Sequence, residues 1–361
     1  MSSSRGDGAS ITPSEVLAAG GQAWSVRALL RWIHSHLEER GVESARLCSE
    51  ILIGHVLGCD RLRLYMEPDR VPSDAERTRL RELVLRAGRH EPVQYLVGEW
   101  PFLGRTFEVG PSTLIPRPAT ETLVERAVEW YRTQVVDGQA PALRMADIGT
   151  GTGVIAVSVI LGIRAGLRAG GCRPLGGRGV SADAAPLPTI QIDAADSTEA
   201  RAAPGAVTDG PSLRCLATDI VPEAVDLAKR NVTRHDVTSA IDVRVGALFD
   251  PFRSSKPNSF DLICSNPPYV SDSEWEAVLP NVKDYEPPSA LRAGTHGLDV
   301  IVPLVAQAPA WLRSGGLLLV EIAETQRAAV LALASDRATW ASAEVVKDFE
   351  ALDRVLVAVR R

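Results

Sequence analysis

From Arg144 to the end of the chain, short apolar runs alternate with segments of helical period. No other feature restricts the fold as strongly. Arg144–Ile148, Leu213–Thr218, Asp242–Val245, Phe260–Cys264, Leu317–Ile322 and Val355–Val359 read as strands. The spacing between them predicts helices from Val154, over Pro222–Asn231, over Val300–Leu312 and over Arg327–Ser335. Parallel neighbours need a crossover of a dozen or more residues, which such helices supply. The expected outcome is an α/β domain with a mostly parallel sheet covered on both faces. One stretch interrupts the pattern. Residues 164–211 are rich in Gly, Ala, Pro, Asp and Arg and hold no sustained period. A loop of that length does not belong in a compact domain, so it reads as a disordered insert.

Upstream the period is helical. Val26, Leu29, Leu30, Ile33 and Leu37 form one stripe, and Ala45, Leu47, Ile51, Leu52, His55, Val56 and Leu57 form a second, stopped by Gly58. Pro72-Ser73-Asp74 opens a third helix through Leu80, Leu83, Val84 and Leu85. Residues 24–92 are thus a small helical bundle, preceded by a flexible tail over 1–23 that lacks the apolar core of a secretory signal. Gln94–Val97 and Thr106–Val109, with Gly98 and Gly104 between them, read as a hairpin linker over 93–110. An extended segment over 114–118 and a helix over 120–132 then lead into the larger domain, 111–361.

Composition narrows the class. A net charge of −6 and the lack of a basic, aromatic-rich face argue against a protein that coats nucleic acid. No run approaches the 18 or so apolar residues of a membrane span. The five cysteines form no Cys-x-x-Cys pair, which fits a reducing, cytoplasmic setting. The six histidines show no ligand spacing, so no metal is expected.

Three motifs carry chemistry. Asp147-Ile148-Gly149-Thr150-Gly151-Thr152-Gly153 follows a strand and opens a helix. Its alternate glycines let the backbone pass close to a ligand, and the helix start offers free N–H groups. The spacing is neither that of dinucleotide binders nor that of a phosphate loop. Asp219 ends the next strand, where an acid can accept from both hydroxyls of a ribose, or serve as a helix cap. It lies 70 residues beyond Gly149 rather than the usual 20 or so, and the excess is close to the length of the insert. The third motif is Ser265-Asn266-Pro267-Pro268-Tyr269. Two prolines remove two donors and stiffen the loop. Asn266 Oδ1 and the Pro267 carbonyl would take the two hydrogens of a planar –NH₂ group lying against Tyr269.

Together these motifs resemble the S-adenosylmethionine-dependent amino methyltransferases. DNA adenine, some RNA guanine and protein glutamine methyltransferases share this signature. The flanks Glu91-Pro92-Val93-Gln94-Tyr95-Leu96-Val97-Gly98, Thr113-Leu114-Ile115-Pro116-Arg117-Pro118-Ala119-Thr120-Glu121 and Tyr285-Glu286-Pro287 are similar to the PrmC/HemK family. That resemblance covers residues 24–361 apart from the insert. It implies a Rossmann-like methyltransferase sheet with an N-terminal helical bundle that docks the substrate. The implied reaction methylates the glutamine N5 in the Gly-Gly-Gln motif of peptide-chain release factors. S-adenosyl-L-methionine would lie on Gly149, Thr150, Gly151, Thr152, Gly153, Asp219, Leu248 and Asn266. Asn266, Pro267, Pro268 and Tyr269 would hold the target amide. The alternative is a nucleic-acid amino methyltransferase using the same slot. Two positions depart from the family: Ala247 stands where an adenine-contacting Asp is common, and Ala119 where relatives carry an acid.

Overall fold

The computed structural model describes residues 24–136, 139–168 and 212–361. They divide into two units, with the boundary between Val97 and Gly98.

The first unit is the expected bundle. Its helices are α1 (Val26–Glu38), α2 (Ala45–Leu57), α3 (Arg61–Met66), α4 (Asp74–Ala87) and α5 (Val93–Val97). Leu29, Ile33, Leu37, Leu52 and Ile53 are fully buried, each stabilising the core by about 1.5–3 kcal/mol. Ser73 and Glu76 cap α4 reciprocally, and Gly58 ends α2 in the left-handed conformation. Helix α3 is too short for its period to register in the sequence; the Asp60 side chain starts it by accepting from Arg63 N at 2.8 Å. The segment read as the first hairpin strand is α5 instead. Val93 and Leu96 sit at helical spacing and join the bundle core, which an apolar run of five residues does not reveal.

The second unit opens on the true hairpin, β1 (Glu99–Phe102) and β2 (Arg105–Glu108), followed by α6 (Ala119–Thr133). The sheet strands are β3 (Leu143–Ile148), β4 (Leu213–Asp219), β5 (Ile241–Val245), β6 (Phe260–Ser265), β7 (Leu312–Glu321), β8 (Trp340–Lys347) and β9 (Asp353–Arg360). Their order is β5-β4-β3-β6-β7-β9-β8. The first five are parallel; β9 pairs antiparallel with β7 and β8. Helices α7 (Val154–Arg168), α8 (Pro222–Arg234), α9 (Asp272–Trp275), α10 (Pro280–Lys283), α11 (Ile301–Gln307) and α12 (Arg327–Leu333) connect them.

Alternate residues of each central strand feed two cores. Met145, Leu262, Cys264, Leu317 and Leu319 join one, with Leu123, Val124, Val157 and Ile160. Ala146, Ile148, Ile263, Leu318 and Val320 join the other, with Leu304 and Phe252.

Two expected boundaries shift. The helix predicted over Val300–Leu312 ends at Gln307, because Pro309 lacks the N–H that would continue it, and Leu312 already belongs to β7. Helix α7 runs to Arg168, five residues into the segment read as an insert. The rest of that insert, and the tail over 1–23, lie outside the described residues.

Candidate active site

The chain winds β3 to β4 to β5 in one direction, then returns to place β6 on the other side of β3. At such a reversal the connections after neighbouring strands diverge and leave a crevice at their carboxyl ends. A cleft of about 310 Å³ opens there.

The turn after β3 forms its floor. Gly149, Gly151 and Gly153 all have positive φ, which explains why glycine stands at each. Gly149 N and Thr150 N both donate to Thr218 O at 2.8 Å, tying the turn to β4. Beneath it Asp147 is completely buried; its Oδ2 accepts from Thr150 Oγ1 at 2.6 Å and Ala156 N at 3.2 Å, while Oδ1 has no partner. Burial raises this carboxyl to about 7, against the lowering effect of those two bonds.

That shift has a consequence for stability. Between about pH 4 and pH 7 the native state keeps a proton on Asp147 that the unfolded chain has lost, so stability falls as pH rises through this window. Asp147→Asn is expected to flatten the curve. Relative to the variant, wild type should lose stability from pH 4 to 8, by at most roughly 4 kcal/mol. Parallel melting-temperature curves for the two proteins would show that Asp147 titrates normally.

Asp219 closes the next wall. Its Oδ2 accepts from Gly151 N at 2.9 Å and its Oδ1 from Val221 N at 3.0 Å. The Ile220 backbone N–H also acts on this carboxylate, whose two oxygens together offer about four acceptor sites. Burial raises this carboxyl too, and the backbone donors oppose the rise. Gly246, Ala247 and Leu248 follow β5 along the same wall, and Gly246 N donates to Asp219 O at 2.8 Å. Ala247 brings no polar side chain there.

Opposite lies the loop after β6. Ser265 Oγ donates to Ile148 O at 2.7 Å, fixing where the loop leaves the sheet. Asn266 Nδ2 donates to Thr120 Oγ1 at 3.2 Å, and Asn266 Oδ1 is buried without a partner. The segment from Ser112 to Arg117 borders the cleft and is pinned by buried Glu286, which accepts from Ile115 N at 3.0 Å and pairs with Arg117.

Gly149, Thr150, Gly151, Thr152, Asp219, Leu248, Asn266, Pro267 and Pro268 therefore meet at one cleft. Two expected site residues do not line it. Gly153 faces α8, where a Cβ would stand 3.5 Å from Ala228 Cβ. Tyr269 packs with the second core, and its hydroxyl is held near Glu321, where burial and that carboxyl both raise it. Its carbonyl accepts from Gln326 Nε2 at 3.1 Å.

Thr120, Glu286 and Gln326 were not singled out as site residues from the sequence. Glu286 lay in the Tyr285-Glu286-Pro287 run and Thr120 in the Thr113–Glu121 run, and neither run gave them a role. Among the described residues no cluster of three or more His, Cys, Asp or Glu could hold a metal, and no helix is long and apolar enough to cross a membrane.

The PrmC N-terminal domain family matches residues 28–98. The release factor glutamine methyltransferase of Rhodopirellula baltica is 31% identical over 92% of this chain and 95% of its own length. This chain belongs to the release factor glutamine methyltransferase family. The relative from Geobacter sulfurreducens is 34% identical over 93% of this chain and 96% of its own length. Solved structures resemble the family member only distantly. A human methyltransferase 10 domain-containing protein shares 15% identity at a TM-score of 0.40, covering 70% of this chain and 87% of its own. A ribosomal protein L11 methylase from Lactobacillus delbrueckii subsp. bulgaricus shares 16% at 0.38, covering 70% and 83%. Neither adds to the assignment.

Proposed function

We propose that this enzyme transfers a methyl group from S-adenosyl-L-methionine to the side-chain amide nitrogen of the Gly-Gly-Gln glutamine in peptide-chain release factors, in the cytoplasm. The observation that carries this reading is the buried, unpartnered Oδ1 of Asn266 at the cleft wall. A buried acceptor without a donor costs about 1–3 kcal/mol, and a substrate amide would relieve it.

The residues present fit the donor. Asp219 keeps acceptor capacity at a strand end for ribose hydroxyls, and the Gly149–Thr152 turn admits close approach. Leu248 offers an apolar side chain to the base ring. When bound, S-adenosyl-L-methionine supplies an electrophilic sulfonium methyl. The chain's own task is orientation. A carboxamide nitrogen is a weak nucleophile because its lone pair is delocalised into the carbonyl. Asn266 Oδ1 and the Pro267 carbonyl would each accept one amide hydrogen and favour positive charge on that nitrogen. Pro268 stiffens the loop. Tyr269, standing behind it, anchors it. Fixed alignment of this kind can supply on the order of 7–11 kcal/mol. The residue set invokes no metal.

Methyl-labelled donor offered to intact release factor and to total RNA tests the reading. Label is expected on a release factor glutamine; label on RNA alone would overturn it. Residues 24–92 would act as the substrate-docking domain, with 111–361 as the catalytic domain. Intact release factor should then exceed a short Gly-Gly-Gln peptide by about 100-fold in kcat/KM, equivalent to about 2.8 kcal/mol of docking. Equal values would remove the docking role and leave the chemistry standing.

A further inference from the structure

Glu321 ends β7, one strand over from the β6 end that leads into Asn266. Its side chain is fully buried and neither carboxyl oxygen has a partner in hydrogen-bond geometry. The Thr120 hydroxyl, the Tyr269 phenol, the Asn266 amide and the Arg354 guanidinium surround it. Arg354 is engaged elsewhere, donating from Nε to Asp348 Oδ2 at 2.9 Å and from a terminal nitrogen to Ile322 O at 3.3 Å. In its ionised form a carboxyl this deeply buried takes hydrogens from the groups around it.

Thr120 is the informative one. A hydroxyl has a single hydrogen and two lone pairs. Asn266 Nδ2 already donates into Thr120 Oγ1, so the Thr120 hydrogen must point away from Asn266. We propose that Glu321 is a positioning residue: by taking the Thr120 hydroxyl hydrogen it turns a Thr120 lone pair onto Asn266 Nδ2, and so keeps Asn266 Oδ1 facing the cleft. Without that acceptor the Thr120 hydroxyl is free to donate to Asn266 Oδ1. The amide then flips, and its –NH₂ meets the –NH₂ of the substrate, donor against donor.

This inference rests on the proposed function for its catalytic consequence, but not for its structural one. The chain contains four asparagines (Asn231, Asn258, Asn266 and Asn281), so side-chain ¹⁵N labelling of asparagine gives a short spectrum, and Asn266→Asp identifies the Asn266 pair. Glu321→Leu, which removes the acceptor, and Thr120→Val should each shift that pair and each lower kcat about tenfold, with the dissociation constant for the donor unchanged. Because both act through one chain of bonds, the double variant should be no slower than the slower single variant. Thr120→Ser, which keeps the hydroxyl, should restore both signal and rate. An Asn266 pair unmoved by Glu321→Leu, or a double variant that loses the product of the two single losses, overturns the proposal. If Glu321→Leu does not fold, Thr120→Val decides alone, and an unmoved Asn266 pair there overturns it equally. Should wild type fail to methylate release factor while the Asn266 pair still follows Glu321 and Thr120, the functional reading falls and this inference stands.

Discussion

Asn266→Ala is expected to lower kcat on release factor about 100-fold or more while leaving donor affinity nearly unchanged. The alanine removes a buried side-chain acceptor, in a residue lining the cleft, that no protein donor satisfies. Loss of a single transition-state hydrogen bond in a water-excluded site costs about 10²–10³ in kcat. The turn after β3 and Asp219 hold each other through Gly151 N at 2.9 Å and do not depend on Asn266, so calorimetry with S-adenosyl-L-methionine should show a change of less than about threefold. A variant with near-normal kcat would mean that the amide is not oriented by this side chain. A parallel loss of donor affinity would mean that the loop collapses when Asn266 is cut.

Gly297→Ala should act at a distance through the same loop. Gly297 has a φ of +68°, and a Cβ there would fall 2.2 Å from Tyr269 O and 2.7 Å from Gln326 Nε2. Neither can yield cheaply. Tyr269 O is backbone, and Gln326 Nε2 is held to it at 3.1 Å and to Gly297 O at 2.9 Å. Left-handed strain adds about 1–2 kcal/mol to an overpacking cost of about 1–3 kcal/mol, so a destabilisation of roughly 2–5 kcal/mol is expected. Urea unfolding measures it directly. Because the displaced atom is the Tyr269 carbonyl, kcat should also fall more than donor affinity. Unchanged stability would show that the 291–299 loop shifts freely and does not brace Tyr269.

What the sequence reveals here is what lies close together along the chain. The Asp147–Gly153 turn, Asp219 at its strand end and Ser265–Tyr269 are each set by local chemistry, and all but Gly153 and Tyr269 of their expected contacts border one cleft. Residues whose roles arise from neighbouring strands were invisible. Glu321 is one apolar strand's terminal acid, and Thr120 reads as an ordinary first-turn residue; only the β6–β7 pairing and the packing of α6 bring them to Asn266. Short apolar runs failed for another reason. Val93–Val97 is compatible with either period, and its contacts with the bundle core decide for helix. Strand β8 was missed because its burial does not alternate, being interrupted by exposed positions on a sheet edge.

The hold of Glu286 on Ile115 and Arg117 joins residues 171 and 169 positions apart. During synthesis, at about 5–20 residues per second, the acid leaves the ribosome roughly 10–30 s after the segment it secures. Throughout that interval the cleft lacks one of its borders, and no partial chain ending before Glu286 has a complete binding surface. Affinity for the methyl donor is therefore acquired late and abruptly, when the carboxyl-terminal third arrives, and not gradually as the glycine turn and Asp219 emerge. The small bundle is free of this constraint, since its helices contact one another over short separations and can fold while the rest is still being made.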